Sequence, residues 1–155
     1  YSPYQRRIIS EEKFREILRK SEIVSKYPEK AELLRFLLEA HTHLTNSEYS
    51  QAFTMSWIIL EKNIYGLWRE FLEQRKVSKK RKDKLTNPAA WTLDDVLETL
   101  NLNGKLNQSE YILLNDLKTK RNNFIHNGIM IDKKDAEQCV NLSIKLVNEK
   151  LSQLL

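Results

Sequence analysis

Phe53, Trp57, Leu60, Ile64, Leu67 and Phe71 recur at alternating steps of four and three residues, the spacing that lines one side of an α-helix. The run predicts a long helix, capped by Asn46 or Ser47 and reaching Gln74. A helix with so continuous an apolar stripe must be covered by several others. Glycine and proline, three of each in 155 residues, are too scarce for the many tight turns of a β-sandwich or barrel. Hydrophobic residues make up 41% of the chain, enough for a packed core. The expectation is therefore a single all-α domain over residues 1–155, a helical bundle of five or six helices.

The remaining helices follow from start and stop signals. Ser10 precedes a run through Val24 in which Phe14, Ile17 and Leu18 recur at helical spacing. Pro28 suits the first turn of a second helix, which ends near Leu44. Thr92 with Asp95 resembles a capping box for a short helix through Leu100, stopped by Asn103-Gly104. Asn107 with Glu110 starts the next helix, which Gly128 ends, and Asp132 caps the last. Arg75 to Lys84 reads as a basic connection. No internal repeat or Gly-rich phosphate loop interrupts this order.

Several function classes drop out. Cys139 is the only cysteine, which excludes an internal disulfide and a multi-cysteine zinc site, and its place in a helical pattern reads as core. No apolar run reaches membrane-spanning length, no signal peptide is visible, and a reducing cytoplasm is the expected setting. The chain begins at Tyr1 without a methionine, so a fragment of a longer chain is expected.

Two polar residues fall on apolar faces. At about 100° per residue, Lys62, Arg69, Glu70 and Glu73 share one arc of the long helix, while Glu61 falls beside Ile58, Trp57, Trp68 and Leu72. A carboxylate there must be paired, hydrogen-bonded or protonated. In the helix from Asn107, Leu113, Leu114, Leu117, Phe124 and Ile125 define the buried face, with Arg121 among them. A guanidinium keeps its charge and also requires a partner. Glu61 is the obvious one. Two readings stay open: a structural Glu61–Arg121 pair between packed helices, or an arginine lining a cleft where it meets phosphate.

His126 stands five residues after Arg121, just before the glycine stop. Five positions differ by about 140° on an ideal helix, so the two side chains do not share a face, whereas Asn122 and His126 do. Asn122 could hold the imidazole while Arg121 reaches round. Alternatively, His126 is simply a helix C-terminal residue favoured by the dipole.

Arg121-Asn122-Asn123-Phe124-Ile125-His126 resembles the Arg-x4-His motif of the HEPN superfamily. The context resembles it too: a long preceding helix with an acidic residue, a short helix, then Asn107-Gln108-Ser109-Glu110-Tyr111 leading into the motif helix. After Gly128, Asp132-Lys133-Lys134-Asp135-Ala136 opens a closing helix. The resemblance covers about residues 47–150. It implies a helical bundle that pairs as a homodimer, bringing two motifs into one cleft, and a metal-independent endoribonuclease without a cofactor. His126 would exchange a proton with the 2′-hydroxyl or the leaving oxygen, Arg121 would stabilise phosphoryl charge, Asn122 would orient either, and Glu61 would hold Arg121. Such a ribonuclease could serve as a toxin with an antitoxin partner, in antiviral defence, or in RNA processing. The alternative is a catalytically inactive HEPN module that binds RNA or a protein partner, and a purely structural dimerisation bundle is a third. Some HEPN toxins carry a modified tyrosine two residues after the histidine; Gly128 stands there, so that regulation is not expected.

The formal net charge is +5 and the isoelectric point about 9.2, which favours polyanions. Lys79, Lys80, Arg81 and Lys82 are candidate contacts to an RNA backbone, against the alternative of a solvated loop. His41 and His43, two positions apart, point to different faces and make a poor metal pair. Trp57 and Trp68 read as core, and Trp91 beside the basic run as a candidate base contact.

Overall fold

The structure, a computed structural model, describes residues 10–152; Tyr1 and the other terminal positions lie outside them. Seven helices and no strand are present among the described residues: α1 (Glu11–Ser25), α2 (Pro28–Thr45), α3 (Tyr49–Gln74), α4 (Lys79–Leu85), α5 (Leu93–Leu102), α6 (Gln108–Asn127) and α7 (Lys133–Ser152). The chain is all-α. The expected count of five or six is corrected to seven among the described residues by α4, which forms inside the basic segment that the sequence presents as a connection. That segment lacks an apolar stripe, so periodicity gives no sign of it. Instead the helix is tethered at its end, where the Trp68 indole N–H donates to the Leu85 carbonyl at 2.9 Å.

α3 is the axis of the bundle. α2 and α7 pack along it, α5 and α6 meet it further round, and α1 rests on α2. The helix buries Phe53, Trp57, Leu60, Ile64, Trp68, Phe71 and Leu72, the stripe that its spacing predicts with Leu67 packed at the edge. Val96, Leu97 and Leu100 from α5, Leu114 and Leu117 from α6, and Cys139 and Val140 from α7 close over it. Each fully buried leucine or isoleucine contributes about 1.5–3 kcal/mol relative to exposure. Phe53 and Trp57 lie parallel with ring centroids 6.4 Å apart, and Trp68 stacks between Phe71 and Trp91.

Most helix ends obey the local signals. Ser10 accepts from the Lys13 N–H, capping boxes form at Thr92/Asp95 and Asn107/Glu110, and Asp132 accepts from the Asp135 N–H at 2.8 Å. Each satisfies N–H groups that the first turn leaves unpaired. The start of α3 differs from expectation. Asn46 closes α2, Ser47 adopts a positive φ of 62°, and Glu48 precedes α3 without a side-chain cap. Buried Ser50 at the start of α3 accepts from the Ile131 N–H at 3.2 Å, which fixes the return from α6 into α7.

Candidate functional site

The Arg121–His126 segment occupies the last turns of α6. Gly128, at φ 67°, ends the helix in the left-handed region, where its N–H reaches the Phe124 carbonyl at 3.1 Å. The next N–H, from Ile129, reaches back to the Asn123 carbonyl at 3.3 Å. These bonds satisfy carbonyls that the helix end would leave open and hold the motif backbone in regular helix. α6 packs chiefly on α5, and ion pairs from Lys120 to Asp135 and from Lys145 to Glu110 tie it to α7.

Arg121 is half-buried, and its Nη1 donates to Asn122 Oδ1 at 3.1 Å. His126 is exposed and has no hydrogen-bond partner among the described residues. Asn122 therefore steadies Arg121, and the expected bond from Asn122 to the imidazole is not formed. The 140° between Arg121 and His126 persists because α6 stays helical through Asn127. Asn123 and Asn127, one turn apart, hydrogen-bond at 3.2 Å beside them. Ile125, Ile129 and Met130, close to His126 in sequence, are 52%, 55% and 73% exposed, apolar side chains left uncovered by the bundle.

Glu61 stands elsewhere. No ion pair joins it to Arg121 among the described residues, which corrects the expected pair. α3 turns its Glu61 side toward the segment after α4, so the carboxylate meets a different neighbourhood from the one facing α6. It is half-exposed and lines a cavity of about 440 Å³ with Ile58, Lys62, Tyr65, Trp68, Arg69, Thr86 and Pro88. Water access supplies the solvation that a buried, unpaired carboxylate would lack. Burial, and then the nearby Glu61 charge, push the Tyr65 hydroxyl above its ordinary pKa. Tyr65 escaped the sequence reading, although its position four residues after Glu61 places both on one helical face. Arg121 and His126 line neither this cavity nor three others of 280 to 600 Å³.

The basic segment divides. Lys82 pairs with Glu73, and Arg75 donates to Asn103 Oδ1 at 2.9 Å with its guanidinium 5.1 Å from the Phe71 ring centroid. Lys79, Lys80 and Arg81 are exposed and make no ion pair among the described residues. Three of the four lysine and arginine candidates thus remain available to a polyanion, and Lys82 is engaged. Trp57 and Trp68 are 3% and 2% exposed, core residues as read. Trp91 is half-buried and stacks on Trp68 at 6.1 Å, 4° from parallel, so it is part of the core margin rather than a free-standing platform. His43 Nδ1 lies 2.5 Å from Glu48 Oε2, across the α2–α3 turn. Cys139 is fully buried, and burial raises its thiol pKa far above the ordinary value, as suits an inert core residue. No helix among the described residues is long and apolar enough to cross a membrane. Compared with family models, with curated proteins and with solved structures, this chain matches none.

Proposed function

We propose that this chain is a HEPN-like domain that cleaves RNA without a metal, at a composite site completed by a second copy. The observation that carries the reading is the state of the motif residues. His126 is exposed and uncommitted, and Arg121 is held by a neutral amide rather than neutralised by a carboxylate. A core histidine is enclosed and hydrogen-bonded, and His126 is neither. The exposed Ile125, Ile129 and Met130 support the second copy, since apolar side chains left uncovered by the bundle are suited to burial in an interface.

In this mechanism His126 accepts the proton of a ribose 2′-hydroxyl. The oxygen attacks the adjacent phosphorus, the new O2′–P bond forms and the P–O5′ bond breaks. The departing 5′ oxygen takes a proton from the second copy's His126. The products are a 2′,3′-cyclic phosphate and a 5′-hydroxyl. Arg121 places its guanidinium on the non-bridging oxygens, where negative charge gathers in the transition state. Asn122 orients Arg121. DNA lacks the nucleophile and is not cut.

The test is cleavage of a labelled mixed-sequence RNA in EDTA by the wild type and by His126→Ala. Proton transfer by a positioned side chain is worth about 10²–10⁴-fold, so the variant should lose nearly all activity. Cyclic-phosphate ends from the wild type alone support the assignment. Equal cleavage by both proteins, or a wild type that binds RNA and cuts none, refutes it; the second result points to the non-catalytic binding module.

A further inference from the structure

A further concavity, distinct from the one beside Glu61, lies between α3, α4 and α5. It is about 370 Å³, and its lining includes Trp68, Phe71, Arg75, Arg81, Trp91 and Thr99, the rest being aliphatic. Its polarity is one-sided: among these residues the only charged groups are two arginines, and none is acidic. Half-buried Trp91 forms its aromatic side, stacked by one face on Trp68, while Trp68 and Phe71 lie buried behind it. Arg75 is already oriented by Asn103 and by the Phe71 ring, while Arg81 is exposed and without an ion-pair partner among the described residues. Lys79 and Lys80, exposed and equally uncommitted, stand two and one positions before Arg81 on α4.

From this arrangement we infer that the cavity between α3, α4 and α5 receives one unpaired nucleobase of a single-stranded RNA, whose flanking phosphates lie along Arg81, Lys79 and Lys80. The choice of RNA rests on the ribonuclease reading above; the choice of a single strand rests on the cavity. Aromatic surface beside uncommitted cations is the combination that holds single strands, because every base has a π-face and every linkage a charge. At 370 Å³ the space lies at the low end of ligand pockets, about 300–1,000 Å³, which suits one base rather than a base pair. A duplex keeps its bases stacked inside and can offer this surface only its phosphates. The guanidinium plane of Arg81, which has no ion-pair partner among the described residues, is suited to cover the inserted ring. A mixed cavity such as that around Glu61 is less suited to a polyanion, since its carboxylate would repel phosphate.

The experiment measures binding rather than cleavage and uses the full chain carrying His126→Ala, so substrate survives. Fluorescence anisotropy compares a labelled mixed-sequence single-stranded RNA, the same RNA annealed to its complement, and the same strand with abasic sites. A stacked base is worth about 1–3 kcal/mol, so the intact single strand should bind about 5- to 150-fold more tightly than either alternative. Arg81→Ala should weaken the single strand by several-fold. Trp91→Leu should erase the preference for intact over abasic strand, and circular dichroism establishes that it is folded. Should Trp91→Leu unfold, Thr99→Trp fills the cavity from its α5 wall and must erase the same preference. Equal affinity for single strand, duplex and abasic strand overturns the inference, as does a preference that survives the cavity variants. The two proposals separate cleanly. Cleavage by the wild type without a single-strand preference refutes this pocket alone, and the preference without cleavage refutes the nuclease alone.

Discussion

Gly128 allows the geometry at the end of the motif helix to be tested with a single atom group. Its φ of 67° lies in the left-handed region, and a Cβ added there would meet nothing within 4 Å. Any cost of Gly128→Ala therefore comes from the backbone and not from collision. Holding an L-residue in that conformation costs about 1–2 kcal/mol. Alanine also narrows the unfolded ensemble, which offsets about 0.4–1 kcal/mol. The net is about 1 kcal/mol of lost stability, or about 2–4 °C in Tm for a chain of this size. Gly128→Asn should lose less, because asparagine tolerates this region better. Gly104, at φ 66° and equally open, supplies an internal comparison: Gly104→Ala should match Gly128→Ala. Urea and thermal unfolding followed by circular dichroism measure all three. If Gly128→Ala is as stable as wild type while Gly104→Ala is not, α6 does not end in a left-handed turn. The placement of His126 two residues earlier would then have to be redrawn.

Two further outcomes test the surface and the caps. Replacing Lys79, Lys80 and Arg81 together by alanine should weaken RNA binding and lower the slope of log K against log salt by about two, since each single-strand phosphate contact contributes about 0.7; an unchanged slope would mean that α4 does not touch the backbone. The Asp95 carboxyl, hydrogen-bonded by the Thr92 hydroxyl and then the Thr92 backbone N–H, is held below its ordinary pKa. Its stabilisation is therefore present above the unfolded carboxylate's pKa of about 3.9 and lost as pH falls through the lower folded value. The stability gap between wild type and Asp95→Asn should accordingly be widest near neutrality and shrink in acid, and a gap that stays constant with pH would refute the ionised capping box.

What the sequence determined by itself is the set of features decided within one or two helical turns. The 4–3 spacing of Phe53 to Phe71 specified both the length of α3 and its buried side, because a helix repeats every 3.6 residues wherever it lies. Thr92, Asn107, Asp132 and Gly128 marked helix ends because their bonding partners are a few residues away. Arg121, Asn122 and His126 were legible as candidates, since position on a helix and distance from its stop can be counted. Tertiary structure decided what each face meets. Helical arithmetic places Glu61 on the inner side of α3, yet only the packing of α3 with its neighbours turns it toward Thr86 and Pro88 instead of Arg121. The same holds for α4: seven residues with no apolar stripe carry too little local signal, and the helix is anchored by a hydrogen bond from Trp68, 17 positions upstream of its acceptor. The cavity beneath it is built from α3, α4 and α5 together, so its aromatic side and arginine rim exist only once those helices have packed.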